Sequence, residues 1–409
     1  MFKLVKIPDK LASYVEGFRD LFTKPSHKSF SQMIAAISIC TKSKTVYNLH
    51  ETIADDFDDK KARSTYDWFF NHAKWDEDEV AQRKTDMFLE TIHPKEGERI
   101  LLIIDDTYRE KKGEHTDGVG SFFDHSKGYI WGNSFVTSVL QCRGLFIPHK
   151  AKMYTKKEDV NKEGLKFRTK PQIAFEDIIK PLEIPETTKL MIVFDSWWFS
   201  AAFINKVRGL GYHITCQIKS DKKVIPEDVS VQVQEYAKEF DKKEYNWIEI
   251  MVRGKKKSYS VVERLVELEG IGKVRLVISR KNQKDAPKYY ICTDTSLQAA
   301  EIFSIYEDRW NIETGHRESN QKLGFKDYQM RSKKAIERFI QLVFAVWTSL
   351  LLMELENEVE GGKSKKIGRM MDKIRTSGVV DLIKEILDYF NLPHPDGLLD
   401  KIRRMGFKT

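Results

Sequence analysis

Two short apolar runs that end in acidic residues constrain the fold of this sequence more than any other feature. They are ILLIIDDT at 100–107 and KLMIVFDS at 189–196, and each has the length and apolar content of a strand buried on both faces. Two more strand-like runs, YIWGNSFVTSVLQC and LFIPHKAKMY, follow the first. Helical patterns over 175–182 and 198–207 flank the second. Alternating strands and helices predict an α/β layer domain over residues 98–218.

Residues 219–293 instead alternate polar and apolar residues, in runs such as VSVQVQEYA, NWIEIMV and KVRLVIS. Residues 206–290 contain 19 Lys or Arg and 12 Asp or Glu, so about +7 of the chain's net charge of +8 lies there. We interpret residues 219–293 as a basic, β-rich insertion. Its lysines either contact nucleic-acid phosphates or form an ordinary solvated surface.

The first 97 residues have a helical pattern, with apolar positions at intervals of three and four. The segment TVYNLHETIADDFDDKKARSTYDWFFN predicts a helix, a turn and a second helix that begins near Ala62 and carries Arg63 at its start. A basic helix N-terminus suits contacts to DNA phosphates, which favours a DNA-binding domain over residues 1–97. An ordinary helical bundle is the alternative.

Helical patterns also follow the insertion, over about Leu297–Leu323 and Ala335–Leu355. We assign residues 294–358 to the second part of the α/β domain and residues 359–409 to a helical tail. A chain of 409 residues exceeds what one hydrophobic core usually fills, so several domains are expected.

Cysteine usage and apolar patterning indicate where such a chain works. The four cysteines lie far apart and form no CxxC pair, which argues against a thiolate zinc site and favours a reducing compartment. The N-terminus lacks a signal-peptide pattern, and the longest apolar run, at 339–353, is interrupted by Gln341 and Thr348 like a core helix. We therefore expect a cytoplasmic protein, associated with the nucleoid when it binds DNA.

Three carboxylates stand out as candidate catalytic residues. Asp105 ends the first predicted buried strand, Asp195 ends the KLMIVFDS strand, and Glu313 lies within the predicted helix after the insertion. Strand ends commonly carry reactive groups in α/β folds, and an all-oxygen set of ligands suits Mg²⁺ or Mn²⁺. Two such ions can serve phosphoryl transfer. Asp106 competes with Asp105 for the first position, and either residue taken alone could be a turn residue.

The predicted helix around Glu313 carries an unusual polar face. At about 100° per residue, one stripe contains Tyr306, Arg309, Glu313, Arg317 and Asn320. An arginine beside a buried carboxylate would keep the carboxylate ionised and could hold a phosphate. The alternative is a surface ion pair between Arg309 and Glu313.

The segment YEDRWNIETGHRESNQKLGFKDYQMR resembles the Y-x2-R-x3-E-x6-K signature of cut-and-paste transposases from prokaryotic insertion sequences. The resemblance extends over roughly residues 60–350 and includes IIDDT and FDSWW. It implies an RNase H-like core interrupted by a β-rich insertion, with a D-D-E triad. The implied site residues are the metal-binding acids Asp105, Asp195 and Glu313, with DNA contacts at Tyr306, Arg309, Trp310, His316 and Arg317.

One position departs from this signature, because its lysine is replaced by Asn320. Asparagine can hydrogen-bond a phosphate but adds no charge. Lys322 lies on another face of the predicted helix and does not simply replace the missing lysine. Either neighbouring basic groups compensate or the enzyme is impaired.

The resemblance implies a transposase that cleaves DNA at transposon ends and joins the freed 3′-hydroxyl to target DNA. Two Mg²⁺ or Mn²⁺ ions per site, double-stranded DNA as the partner and a homodimer in the synaptic complex are implied with it. Two alternatives remain open. They are a catalytically impaired or domesticated transposase acting as a DNA-binding protein, and a stand-alone nuclease with the same core.

Overall fold

The computed structural model describes residues 3–4, 6–55, 60–124, 127–163, 166–252, 254–280, 286–357, 367–393 and 397. They form a mixed α/β fold in which helices cover one large sheet, which confirms the predicted fold class at this level.

Five helices form the N-terminal region: α1 (Asp9–Glu16), α2 (Lys24–Ile39), α3 (Val46–Thr52), α4 (Arg63–Asn71) and α5 (Glu77–Ile92). Local sequence explains where they begin. The Thr45 side chain caps α3 by accepting a hydrogen bond from the amide of Asn48, and Asp76 caps α5 in the same way. Three acidic residues in the first turn of α5 also complement the helix dipole. The two helices predicted around Arg63 are α3 and α4, while residues 56–59 between them lie outside the described residues.

Within the described residues, twelve strands form one continuous sheet. Their bounds are β1 (Arg99–Glu110), β2 (Gly120–Asp124), β3 (Gly128–Cys142), β4 (Leu145–Tyr154), β5 (Lys189–Phe194), β6 (His213–Ile218), β7 (Lys223–Ile225), β8 (Val231–Gln232), β9 (Asn246–Val252), β10 (Lys255–Leu268), β11 (Gly272–Arg280) and β12 (Lys288–Cys292). The order across the sheet is β2-β3-β1-β5-β6-β12-β11-β10-β7-β8, with β4 paired to β3 and β9 paired to β10.

Two predicted buried strands, β1 and β5, lie side by side and parallel near the middle of this sheet. β3 pairs antiparallel with the other edge of β1, and β6 runs parallel to β5. The short helices between β4 and β6 are α6 (Lys157–Glu163), α7 (Lys170–Ile173) and α8 (Ala201–Gly209). Of these, α7 packs against β4 and α8 packs against β6. Because both faces of β1 and β5 are covered, their runs are apolar at successive positions and do not alternate.

The basic stretch after β6 contributes strands β7 to β12, which extend the same sheet because β12 pairs antiparallel with β6. One predicted strand in it is wrong. The segment VSVQVQEYA forms only the two-residue strand β8 and then a helical turn, α9 (Val233–Tyr236). Val233 and Tyr236 are the buried residues of that turn, and their spacing of three satisfies a helical period that the alternating pattern concealed.

Two helices replace the single long one predicted after the insertion: α10 (Ala299–Glu307) and α11 (Trp310–Leu323). They are followed by α12 (Lys333–Asn357) and α13 (Ile367–Tyr389), while residues 358–366, 394–396 and 398–409 of the predicted tail region lie outside the described residues. By length and composition α12 could cross a membrane, but 89% of its most apolar window is buried inside the protein. It packs against α2, α4, α5 and β4, as a core helix does.

Candidate active site

Asp105 lies in the middle of β1, and not at its end as the sequence suggested. The strand continues to Glu110 because β3 stays paired with it as far as Gly132. Residues 100–104 are fully buried, and Asp105 begins the part of the strand that emerges from the core. Leu101 and Ile103 belong to the apolar cluster formed with α10 and α11, so strand alternation brings Asp105 to that same face.

Asp195 follows the last residue of β5 directly. The parallel register pairs Ile103 with Val193. The side chains two residues further along each segment point to the same face, so Asp195 lies beside Asp105. The Asp195 carboxylate accepts a hydrogen bond from the amide of Trp197 at 2.9 Å, which holds the turn after the strand. Two acids that are 90 positions apart therefore share one face of the sheet.

Glu313 lies in the first turn of α11, just after the break between α10 and α11. At this break the Asn311 amide bonds to the Asp308 carbonyl and the Ile312 amide to the Arg309 carbonyl, which is the tighter three-residue spacing. Gln141 on β3 anchors the break. Its amide donates to Asp308 at 2.6 Å, and its carbonyl oxygen accepts from the side chain of Asn311 at 2.6 Å.

Arg309 connects two of the acids. Its Nη1 donates to Asp105 Oδ2 at 3.4 Å, and its Nη2 donates to Glu313 Oε1 at 3.1 Å. The guanidinium side chain is only 18% exposed, and the two acids are 20% and 35% exposed. Ion pairs screened from water in this way are stronger than surface pairs of the same length. The pair predicted between Arg309 and Glu313 is present, but it belongs to a larger, half-buried cluster.

The electrostatics of this cluster are those of crowded carboxylates. The pKa of Asp105 is raised to about 7, chiefly by burial and also by the negative charges of Asp106 and Asp195, against the opposing effect of Arg309. The pKa of Arg309 is also raised, because its tyrosine and carboxylate neighbours outweigh its burial. Asp105 therefore lies where a further cation would be stabilised.

Tyr306 lies at the end of α10 and faces the same cluster. Its hydroxyl donates to Gln217 on β6 at 3.2 Å, and its ring packs edge-on against Tyr290 with 4.8 Å between ring centres. The guanidinium of Arg309 lies 5.9 Å from the centre of the Tyr306 ring. Burial raises the pKa of Tyr306 to about 12, so this hydroxyl stays protonated at neutral pH.

Comparison with known proteins identifies the family. A family model described as DDE superfamily endonuclease matches residues 17–243, more than half of the chain. The chain belongs to this superfamily. A second model, described as transposase DDE domain, matches residues 173–349. A protein of Microchaete diplosiphon described as a probable transposase for insertion sequence element IS701 is 23% identical over 286 residues, which are 66% of this chain and 70% of that protein.

These matches confirm the predicted relationship to DDE transposases of insertion sequences. The DDE superfamily match contains Asp105 and Asp195, and the transposase DDE match contains Asp195 and Glu313. The two matched regions therefore overlap at the acid that lies between the other two in the sequence.

Nucleases of the DDE superfamily generally use divalent metal ions. The donor atoms here fit such an ion, because Asp105, Asp195 and Glu313 supply only carboxylate oxygens, and burial together with the neighbouring acids raises the pKa of Asp105. Across the part of the chain that the structure describes, no three His, Cys, Asp or Glu side chains are already grouped as metal ligands. Arg309 lies between two of the acids, so the carboxylates would have to draw together when an ion binds.

The structure distinguishes the two adjacent acids of this DDE protein. Asp106 points to the opposite face of β1, where it forms an ion pair with Lys170 and accepts a hydrogen bond from Tyr108 at 2.9 Å. The Lys170 side chain is 7% exposed, and its ammonium group also lies 5.2 Å from the ring centre of Trp197. Asp106 is thus already neutralised by a buried cation, whereas Asp105 faces the acid cluster.

The other predicted DNA-contact residues have different surroundings. Trp310 is 38% exposed at the start of α11, and Arg317 is exposed on the same helix. His316 points inward and contacts the Thr137 hydroxyl at 2.8 Å, with its ring stacked on Phe325, a position that suits a structural contact better than a DNA contact. Among the described residues, the buried side-chain oxygen of Asn320 has no hydrogen-bond partner. Arg63 is exposed at the start of α4.

Sequence reasoning did not anticipate the residues that support the acids. Lys170, Gln141 and Gln217 each come from a different element and contact Asp106, Asp308 and Tyr306 respectively. No local motif marks them, because each acts through one side-chain contact across the fold. Asp308 and Asn311, by contrast, lie within the recognised signature, and their polar character there was a usable signal.

Proposed function

We propose that this DDE superfamily member is a transposase that cleaves DNA at the ends of an insertion sequence and joins those ends to target DNA. The observation that carries the proposal is the convergence of three acids from distant segments around Arg309, within a family that includes transposases. An ion-pair network that only stabilised the fold would be complete with Arg309, Asp105 and Glu313, and it would not need Asp195 beside Asp105.

In this proposal the strands β4-β3-β1-β5-β6 are an RNase H-like core, since they carry two of the acids on one face. Asp105, Asp195 and Glu313 would hold Mg²⁺ or Mn²⁺, two ions per site. When bound, such ions activate the attacking oxygen and stabilise the leaving one. Double-stranded DNA is the substrate, and joining two ends calls for a homodimer in the synaptic complex.

The protein's own residues would mainly bind and orient the phosphate. Arg309 is the closest cation to the acids, and once the carboxylates turn toward a metal its guanidinium is free to form paired hydrogen bonds to a phosphate. Tyr306 is held in a fixed orientation by Gln217, so its ring can define one side of the space beside Asp195. Such preorganised contacts account for much of phosphoryl-transfer catalysis.

The test uses purified protein, Mg²⁺ and DNA that carries the terminal repeats of the element. Wild-type protein should nick at the repeat and join the freed 3′-hydroxyl to a second DNA. Asp195→Asn and Glu313→Gln should abolish cleavage while DNA binding is retained, and Glu318→Gln on the same helix is the matched control that should stay active.

Three results would overturn the proposal. Binding to the repeats with no cleavage would indicate a DNA-binding protein without catalysis. Equal cleavage of unrelated DNA without joining would indicate a stand-alone nuclease. Parallel loss of binding, folding and cleavage in both acid variants would mean that these acids are structural.

A further inference from the structure

A second surface lies on the same face of the sheet as Asp105, four residues further along β1. Residues on one face alternate, so Asp105, Thr107 and Arg109 point the same way. The antiparallel register pairs Arg109 with Asn133, and alternation along β3 brings Trp131 and Tyr129 to this face as well. At about 3.3 Å per residue, Arg109 is roughly 13 Å from Asp105 along the strand.

This surface is a groove of about 740 Å³ between β1, the β2–β3 hairpin and the segment after α11. Such a volume lies within the roughly 300–1,000 Å³ typical of ligand sites. Four cations and three aromatic rings contribute to its lining: Arg109, Lys111, Lys112, Lys127, Tyr129, Trp131 and Tyr328. Glu110 is an acid in the same lining, and Lys127 forms an ion pair with it.

The cations of the groove lie close to one another, with Glu110 and Asp124 nearby. Burial and the charge of Arg109 lower the pKa of Lys111 to about 8, and burial together with Lys127 and Arg109 lowers the pKa of nearby Lys326 to about 8. The buried Nε of Arg109 has no hydrogen-bond partner within the part of the chain that the structure describes. Like charges held together with an unused donor favour an anion as the missing partner.

Two of the three aromatic rings of the groove, Tyr129 and Trp131, are presented to solvent, whereas Tyr328 is buried. Tyr129 is 81% exposed and Trp131 is 44% exposed, on a strand whose other side chains are mostly buried. Phe123 lies edge-on to Tyr129 with 5.3 Å between ring centres, which limits the motion of the tyrosine ring. Exposed rings beside cations are the combination that binds single-stranded nucleic acid, since bases stack on rings while phosphates meet the cations.

We propose that this groove, the Arg109–Trp131 groove, binds a single-stranded segment of DNA next to the acid cluster. The inference rests on the proposed function, because the strand in the groove would be one that leads into or away from the phosphate at Asp105. Neither the family matches nor the signature residues assign a role to this hairpin.

The test measures binding of a fluorescein-labelled oligo-dT to the full chain by fluorescence anisotropy in EDTA, so that no cleavage occurs. Tyr129→Ala should weaken binding about tenfold through the loss of one stacked base. Tyr389→Ala is its matched control, since Tyr389 is also 81% exposed and lies edge-on to a phenylalanine. That control should bind like the wild type.

A second pair of variants tests the charge. Lys127→Ala should reduce the slope of log affinity against log salt concentration by about 0.7, the value for one phosphate of a single strand. Lys180→Ala is the control, because both lysine side chains are 61% exposed and each pairs with a glutamate. All four variants should unfold thermally like the wild type.

Equal affinity of Tyr129→Ala and Tyr389→Ala for oligo-dT would overturn the proposal. It would also be overturned if Tyr129→Ala weakened the binding of a duplex of equal length as much as the binding of oligo-dT. Cleavage of terminal-repeat DNA by the wild type is measured separately. Intact cleavage with no effect at Tyr129 rejects the groove alone. Groove-dependent binding without cleavage by the wild type rejects the proposed function alone.

Discussion

The guanidinium of Arg309 donates a hydrogen bond to the carboxylate of Asp105 at 3.4 Å, although the two residues are 204 positions apart. The same guanidinium contacts Glu313. One arginine therefore neutralises acids from a central strand and from a helix, and the electrostatics of the site depend on it.

Asp105→Asn should stabilise the metal-free protein more at pH 8 than at pH 5. The pKa of Asp105 is raised to about 7 from an ordinary value of 3.8. Its contribution to stability is therefore complete below pH 4 and is lost as the pH rises through 7, because the folded state resists ionisation. In urea unfolding with EDTA, the difference in the free energy of unfolding between variant and wild type should increase by up to about 2 kcal/mol from pH 5 to pH 8. A difference in the free energy of unfolding that does not change with pH would contradict this prediction.

Lys170→Met should destabilise the fold by about 3 kcal/mol, because it leaves the Asp106 carboxylate buried beside β1 without its cation. Asp106→Asn should be less damaging and should retain DNA cleavage at temperatures where the protein is folded. Urea denaturation and cleavage assays check the two effects separately. Lys180→Met, at an exposed pair with Glu176, is the control and should change stability by less than about 0.5 kcal/mol. Loss of cleavage in folded Asp106→Asn would show that Asp106 acts in the reaction.

Asn320→Lys should strengthen binding to terminal-repeat DNA. The Asn320 side-chain oxygen has no hydrogen-bond partner in the described parts of the chain, so its replacement breaks no observed bond there, and a lysine restores the charge of the transposase signature. The slope of log affinity against log salt concentration should steepen by about 0.9, the value for one more phosphate contact on duplex DNA. Gln321→Lys, at the exposed neighbouring position, is the control. Equal effects from both substitutions would indicate a non-specific gain from net charge.

His316→Gln should make the protein less sensitive to acid. Burial lowers the pKa of His316 to about 3 from 6.5, with a smaller effect of Lys326, so the folded protein keeps it neutral. As the pH falls below 6.5, the unfolded chain binds a proton that the folded state refuses, and stability is lost progressively down to about pH 3. From pH 7 to pH 5, the free energy of unfolding measured in urea should fall by about 1–2 kcal/mol more in the wild type than in the variant. Glutamine can keep the hydrogen bond to Thr137 without titrating.

Much of the architecture could be predicted from local patterns. The apolar runs predicted β1 and β5, and the predicted ranges of β3 and β4 were close to the observed ones. The errors were at boundaries that depend on partners. β1 continues past Asp105 because β3 stays paired with it, and the helix around Arg309 divides because Gln141 holds Asp308 and Asn311 against β3. Both boundaries depend on contacts with another segment, which lies 167 and 170 positions away for Asp308 and Asn311, and no short sequence window contains them.

Residue type, spacing and apolar period by themselves predicted the α/β character and most of the strands, and the resemblance to transposases supplied the candidate acids, because each of these is written in short stretches of chain. Only the tertiary structure decided which way each side chain points. It turned Asp105 toward Arg309 and Asp106 toward Lys170, although the two acids are neighbours in the sequence. The physical reason is that successive side chains of a strand point to opposite faces of the sheet, and both faces of β1 are covered. Adjacent residues therefore contact opposite layers, and distant parts of the chain determine which residues those layers contain.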